Sequence, residues 1–193
     1  KLTYETPRLE EIETGHGWLM EQGYTVIWAG WQADVPPFAA LLRLTVPEAM
    51  DSDGRRLTGK IFSQFQAMEH VDNFMLSDRD HAPHPALTME QPDALMTVRD
   101  QPDSDPTMIA RDQWRFGRVV DGEYVEDPSY VTKDDGFEPG LMYQLTYTTV
   151  GAPVMGLGFL AMRDSISWLK HGTEAEGNLS AGNISHAYGF GVS

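Results

Sequence analysis

The sequence predicts an α/β fold, a mostly parallel sheet with crossover helices, interrupted by a β-rich insertion. Three observations carry that expectation. Residues 24–29, Tyr-Thr-Val-Ile-Trp-Ala, form a β-branched and aromatic run of the kind buried on both faces of a parallel sheet. Met155, Phe159, Met162, Ile166 and Leu169 recur at the spacing of one helical stripe. The chain then climbs through Tyr188, Gly189, Phe190 and Gly191 to Ser193, the front half of a G-x-S-x-G nucleophile elbow. In that motif a strand turns sharply into a helix and lifts the serine hydroxyl above the sheet. The glycine two before the serine leaves room for the close approach of backbone to backbone.

Composition bounds the possibilities. At 193 residues the chain is long enough for one domain with a sizeable core, or for a domain carrying an insertion. Apolar residues make up 41%, with five Trp, seven Tyr and eight Phe, which describes a globular protein. Fourteen basic against twenty-nine acidic side chains give a net charge of −15. A surface of that sign repels phosphate backbones and anionic headgroups, so neither nucleic acid nor a membrane surface is an expected partner. No apolar run approaches the ~20 residues of a membrane span. The absence of cysteine excludes disulfides, thiolate metal ligands and a thiol nucleophile, and leaves the compartment open. Starting at Lys1 without a leader and stopping at the elbow serine, the sequence reads as cut at both ends.

Taken in order, the first part of the α/β domain is expected over residues 1–35. Trp18, Leu19 and Met20 suggest the end of a short helix closed by Gly23, a residue suited to the left-handed stop. The strand at 24–29 follows, and Gly30, Trp31 and Gln32 form the loop at its carboxyl end, where open α/β sheets place their ligands.

A β-rich insertion is expected over residues 36–140, where Pro, Gly and Asp are frequent and short alternating runs appear. Ile61, Ser63, Phe65 and Ala67 alternate with Phe62, Gln64 and Gln66; Ala94, Met96 and Val98 make a second run, Trp114 and Phe116 a third. Asp121-Gly122 between Val119-Val120 and Tyr124-Val125 signals a tight hairpin, because these residues accept positive φ. Asp103, Asp105 and Pro106, and Asp134 with Asp135, are expected in loops.

Residues 141–193 complete the α/β domain. Leu141, Tyr143, Leu145 and Tyr147 alternate as a strand, and a helix over 154–171 ends at Lys170, His171 and Gly172. Residues 187–192 form the strand that delivers Ser193.

Four stretches in this order carry a resemblance. They are residues 23–32 (Gly-Tyr-Thr-Val-Ile-Trp-Ala-Gly-Trp-Gln), 111–116 (Arg-Asp-Gln-Trp-Arg-Phe), 156–164 (Gly-Leu-Gly-Phe-Leu-Ala-Met-Arg-Asp) and 189–193 (Gly-Phe-Gly-Val-Ser). Together they resemble a family of large bacterial alpha/beta hydrolase domain-containing proteins, over nearly the whole chain from Gly17 on. The resemblance implies the alpha/beta-hydrolase fold with an extra β-rich segment, and a serine hydrolase of the esterase type. It implies Ser193 as the nucleophile, with Gly191 and Val192 on the strand side of the elbow. In that fold the acid and the histidine follow the serine, so both would come from polypeptide outside this sequence. One oxyanion donor would lie beyond Ser193 and the other upstream of Lys1.

The rival constellations are weaker. His81 and His84, with Asp78 or Asp80, have a metal-like spacing, but Pro83 and Pro85 oppose a helix that would aim both imidazoles one way. His186 precedes the serine, whereas the triad histidine of the elbow fold follows it. Asp51-Ser-Asp53-Gly54 opens like a calcium loop, yet Arg55-Arg56 stands where further oxygen ligands belong, so a turn is expected. Gly156 and Gly158 form no dinucleotide fingerprint and read as close helix packing; Arg163 and Asp164 read as an ion pair. Trp28, Trp31, Trp114 and Phe116 read mainly as core, with Trp31, Gln32 and Trp114 as candidate liners of a substrate pocket.

The function expected from the sequence is cleavage of a carboxylic ester through an acyl-enzyme at Ser193, with no cofactor and no metal. The expected partners are a small ester substrate and the polypeptide carrying the acid and the histidine. The alternative is a non-catalytic β-rich fragment or binding module.

Overall fold

The computed structural model describes residues 18–36, 41–79 and 81–189. The chain forms two compact units, one of Lys1–Pro47 with Val154–Ser193 and one of Glu48–Pro153.

The Glu48–Pro153 unit is built from nine strands: β1 (Thr58–Gln66), β2 (Val71–Met75), β3 (Leu95–Arg99), β4 (Thr107–Ile109), β5 (Trp114–Phe116), β6 (Arg118–Val120), β7 (Glu123–Val125), β8 (Tyr130–Phe137) and β9 (Met142–Val150). They make a four-stranded sheet in the order β1-β9-β3-β4, a three-stranded sheet β2-β8-β5 and the ribbon β6-β7. Every strand-to-strand ladder among them is antiparallel.

Alternation in β1 and β9 sets the core. Ile61, Ser63 and Phe65 lie opposite Tyr147, Leu145 and Tyr143 on one face, and the three β9 residues are buried. From the other sheet Trp114, Phe116, Val131 and Phe137 are buried with them. Aromatic edges meet faces across the interior: Phe137 stands at 89° to Tyr143 with ring centres 5.0 Å apart, and at 73° to Phe74, also at 5.0 Å. Such edge-to-face pairs contribute beyond the area they bury. The expected hairpin is present as β6 and β7, with Asp121 at φ 53° and Gly122 at φ 82°, the double positive turn that follows the twist of the strands.

One loop expectation is corrected here. Asp134 and Asp135 lie within β8, exposed, between buried Val131-Thr132 and buried Gly136-Phe137. A register shift in the β2–β8 ladder and a positive φ of 68° at Gly136 accommodate them, so a bulge absorbs residues that read as strand breakers.

In the other unit, the short helix α1 (Trp18–Glu21) closes at Gly23, whose φ is 82° and whose N–H donates to the Met20 carbonyl. Helix α2 (Leu157–His171) ends at Gly172, whose N–H donates to the Trp168 carbonyl at 2.7 Å. Beyond it Asn178, fully buried, donates from Nδ2 to the carbonyls of Trp168, Leu169 and Gly172 at 3.1, 3.0 and 2.9 Å. One side chain thereby helps to satisfy the carbonyls at the helix end, where intrahelical donors run out. Gly158 is the buried residue of α2; a Cβ there would stand 2.1 Å from the Trp31 carbonyl oxygen, which explains the glycine as close packing.

The expectation of a mostly parallel α/β-hydrolase sheet is overturned. The described strands are antiparallel and belong to Glu48–Pro153. Residues 24–29 form no strand and are exposed, with Tyr24 at 50% and Ile27 at 54%. An apolar run shows that a segment needs covering; a strand exists only where neighbouring backbone supplies its hydrogen bonds. The parallel pairing expected between residues 24–29 and 187–192 therefore fails at its first member, and residues 190–192 lie outside the described part.

Candidate functional site

The sequence-predicted site residues fall in different places. Ser193 lies outside the described residues. In the unit of Lys1–Pro47 with Val154–Ser193, Trp31 is 44% exposed, with its ring 6.1 Å from that of Phe159. The Gln32 carbonyl accepts a hydrogen bond from the Leu44 N–H at 2.9 Å.

Trp114 sits in the core of the Glu48–Pro153 unit, 2% exposed. Its ring meets Phe116 edge-on at 5.6 Å and carries the Arg111 guanidinium 4.1 Å above it. Arg111 lies in a 3-10 turn, Arg111–Gln113, and donates to the carbonyls of Gln91 and Trp114 at 3.0 and 2.7 Å. Burial pushes the Arg111 pKa down, since two carbonyls replace water without supplying a countercharge. The Arg-Asp-Gln-Trp-Arg-Phe stretch is thus accounted for by packing: Trp114 and Phe116 inward, Arg111 over Trp114, and Arg115 over Tyr124 at 4.6 Å.

The polar constellations stay apart. His70 Nδ1 is 3.2 Å from Glu138 Oε1, and His186 Nδ1 is 3.0 Å from the hydroxyl of its neighbour Ser185. Neither contact joins a serine, an imidazole and a carboxylate. Among the described residues no group of three or more His, Asp or Glu is placed to hold a metal ion. Asp51 makes the expected turn, its Oδ1 accepting from the N–H groups of Asp53 and Arg55 at 2.8 Å each. Arg163 pairs with the adjacent Asp164 at 2.6 Å. No described helix is long and apolar enough to cross a membrane.

Two surface features of the β-rich unit are built by its register. The first is an open groove of about 520 Å³ lined by Arg56, Pro85, Leu87, Met89, Glu126 and Pro128, among others. Its wall is the segment that lies along the end of β9. The Ala86 N–H donates to Pro128, Leu87 to Thr148, and the Thr149 hydroxyl to Pro85, at 2.7, 2.9 and 2.7 Å. Gln91, 4% exposed, locks this wall by accepting from the Thr148 N–H and donating back to the Thr148 carbonyl. Arg56, on the rim, is held by Glu48 at 2.7 Å.

Tyr147 anchors the same wall by donating to the His84 carbonyl at 2.6 Å. Burial pushes its pKa up to about 12. The folded phenol therefore keeps its proton above the pH where the unfolded one loses it. Its contribution to stability is whole below about pH 10 and is lost as pH rises through the folded value. Melting curves between these limits should show a steep alkaline fall that Tyr147→Phe flattens; an identical fall in the variant would assign the alkaline loss elsewhere.

The second feature is the outward face of the four-stranded sheet. Gln144 on the central β9 stands opposite Gln64 of β1 and Thr97 of β3. Its Nε2 donates to Gln64 Oε1 at 3.0 Å, and its Oε1 accepts from Arg99, so one hydrogen-bonded chain crosses three strands. The adjacent row is Phe62, Thr146 and Leu95, and Met108 stands beside Thr97. Phe62, Leu95 and Met108 are 57%, 51% and 57% exposed. No outward position on β1, β9, β3 or β4 is Asp or Glu, in a chain with twenty-nine of them. Sequence alternation identifies Gln64 and Phe62 as one face or the other of a strand. It carries no signal that Gln144, Thr97 and Arg99 join them, because that depends on register across distant strands.

These features define an antiparallel β-rich unit with an exposed sheet face whose outward strand positions carry no Asp or Glu. Comparison of the chain with family models, with curated proteins and with solved structures finds no match in any of the three.

Proposed function

We propose that the chain acts as a binding module through residues Glu48–Pro153, with no catalysis of its own. The supporting observation is the outward sheet face, where Phe62, Leu95 and Met108 stay exposed around an ordered strip of amides and no outward strand position is Asp or Glu. Exposed large apolar side chains interspersed with ordered polar groups are a composition that interaction surfaces present.

Incubation with a fluorophosphonate probe and with a small activated ester tests the reading. Neither labelling nor turnover above the uncatalysed rate is expected. Stoichiometric labelling at Ser193 would sink it and restore the serine nucleophile.

A further inference from the structure

We infer that the outer edge of β1 docks an extended segment of another polypeptide, which joins the β1-β9-β3-β4 sheet as a further strand. This rests on the binding-module reading and names the kind of partner and its place. β1 ends the sheet, and its nine residues run in unbroken register against β9. The Gly151 N–H donates to the Leu57 carbonyl at 2.9 Å, which makes these two a hydrogen-bonded pair. Pairs alternate along an antiparallel ladder, so Lys60, Phe62 and Gln64 turn both N–H and C=O away from β9. Thr148, opposite Lys60, is turned to the far side of β9 in the same way, where its N–H and C=O meet Gln91. No backbone group of a described residue meets the outward groups of Lys60, Phe62 or Gln64. Donors and acceptors repeating at strand spacing are matched by another extended backbone.

The other edges of the two larger sheets are guarded. β4 and β5 are three residues long, and β2 carries a register shift. Short strands and bulges keep edges from pairing. β1 has neither bulge nor proline, and its one charge, Lys60, is drawn across β9 to Asp93, just before β3, at 2.6 Å. The core also runs out beneath this edge. Ile61 and Phe65 are only half-buried, whereas Tyr147 and Tyr143 opposite them are buried. An added strand with apolar side chains at alternate positions would cover them, which fixes the pattern of the partner. Its charge follows from the −15 of this chain, which attracts a segment flanked by Lys or Arg and repels a second copy.

Selecting binders of the full chain from a random peptide library, with peptides long enough to span β1, supplies the probes. Basic peptides with alternating apolar residues are expected, binding more weakly as salt rises. Methylating one alternate set of peptide backbone amides should abolish binding, and methylating the other set should not, because only one set faces β1. Amide exchange at Lys60, Phe62 and Gln64 should be fast in the free chain and slow in the complex, while Ile61 and Ser63 are slow in both. Phe62→Pro should weaken binding by about tenfold or more, since an outward N–H is lost while the β9 ladder keeps its own. If that variant disturbs folding, the methylated peptides make the same test on the unaltered chain. Leu95→Glu, on the sheet face away from the edge, should leave binding unchanged. No enriched binder, binding indifferent to both methylated sets, or outward amides left unprotected overturns the inference. Binding lost in Leu95→Glu but kept in Phe62→Pro also overturns it, while leaving the binding-module reading standing. Probe labelling at Ser193 would sink that reading instead, so the two failures are distinguishable.

Discussion

Trp114→Ala should destabilise the Glu48–Pro153 unit by about 3–5 kcal/mol, the range for truncating a large buried aromatic residue. Trp114 is 2% exposed, and its loss removes the edge-on contact to Phe116 and the surface on which Arg111 rests. The Arg111 guanidinium would then lie over a cavity with its two carbonyl partners but no ring beneath it. Denaturant unfolding followed by circular dichroism measures the change directly. In a unit of this size the melting temperature should fall by more than about 10 °C. The competing expectation, that Trp114 lines a substrate pocket, predicts weakened ligand binding with little change in melting. A variant that melts with the unaltered chain would refute the packing role.

Excision supplies the second large test. Residues Glu48–Pro153 expressed alone should fold cooperatively, with a single sharp thermal transition and strong near-ultraviolet circular dichroism from the packed aromatic residues. Two observations motivate this. All buried apolar residues of the described core, from Ala67 to Tyr147, belong to this unit. The chain also enters and leaves it at neighbouring points, with Glu48 bridged to Pro153 and the Ala49 N–H donating to the Ala152 carbonyl at 2.8 Å. Cutting there severs the chain beside a bridged pair of residues and removes none of the buried core residues. A broad, non-cooperative melt with lost near-ultraviolet signal would show that the unit depends on the rest of the chain.

Local chemistry was readable from the sequence alone. Alternation at residues 61–67 and 141–147 marked β1 and β9, because side chains in a strand alternate faces whatever the strand pairs with. Asp121-Gly122 marked the hairpin, since the turn is decided by two backbone dihedrals. The stripe from Met155 to Leu169 marked α2, and Gly23 marked the end of α1, for equally local reasons. β8 escaped because Asp134 and Asp135 read as loop residues, and only the bulge against β2 makes them compatible with a strand.

What the sequence left open was decided by pairing between distant residues. Residues 24–29 carry every local mark of a buried strand and remain exposed and unpaired as strand, because burial depends on what packs against them. Trp114 could be a pocket liner or a core residue by its identity; the ladder to Lys133 and the stack with Arg111 make it core. The candidate face exists only through register, which brings Gln64 to Gln144 across 80 positions of chain and sets Thr97 on the far side. A shift of one residue would turn Phe62 and Gln64 inward and Ile61 and Phe65 out to water, so the burial of a whole core selects the register and, with it, the surface.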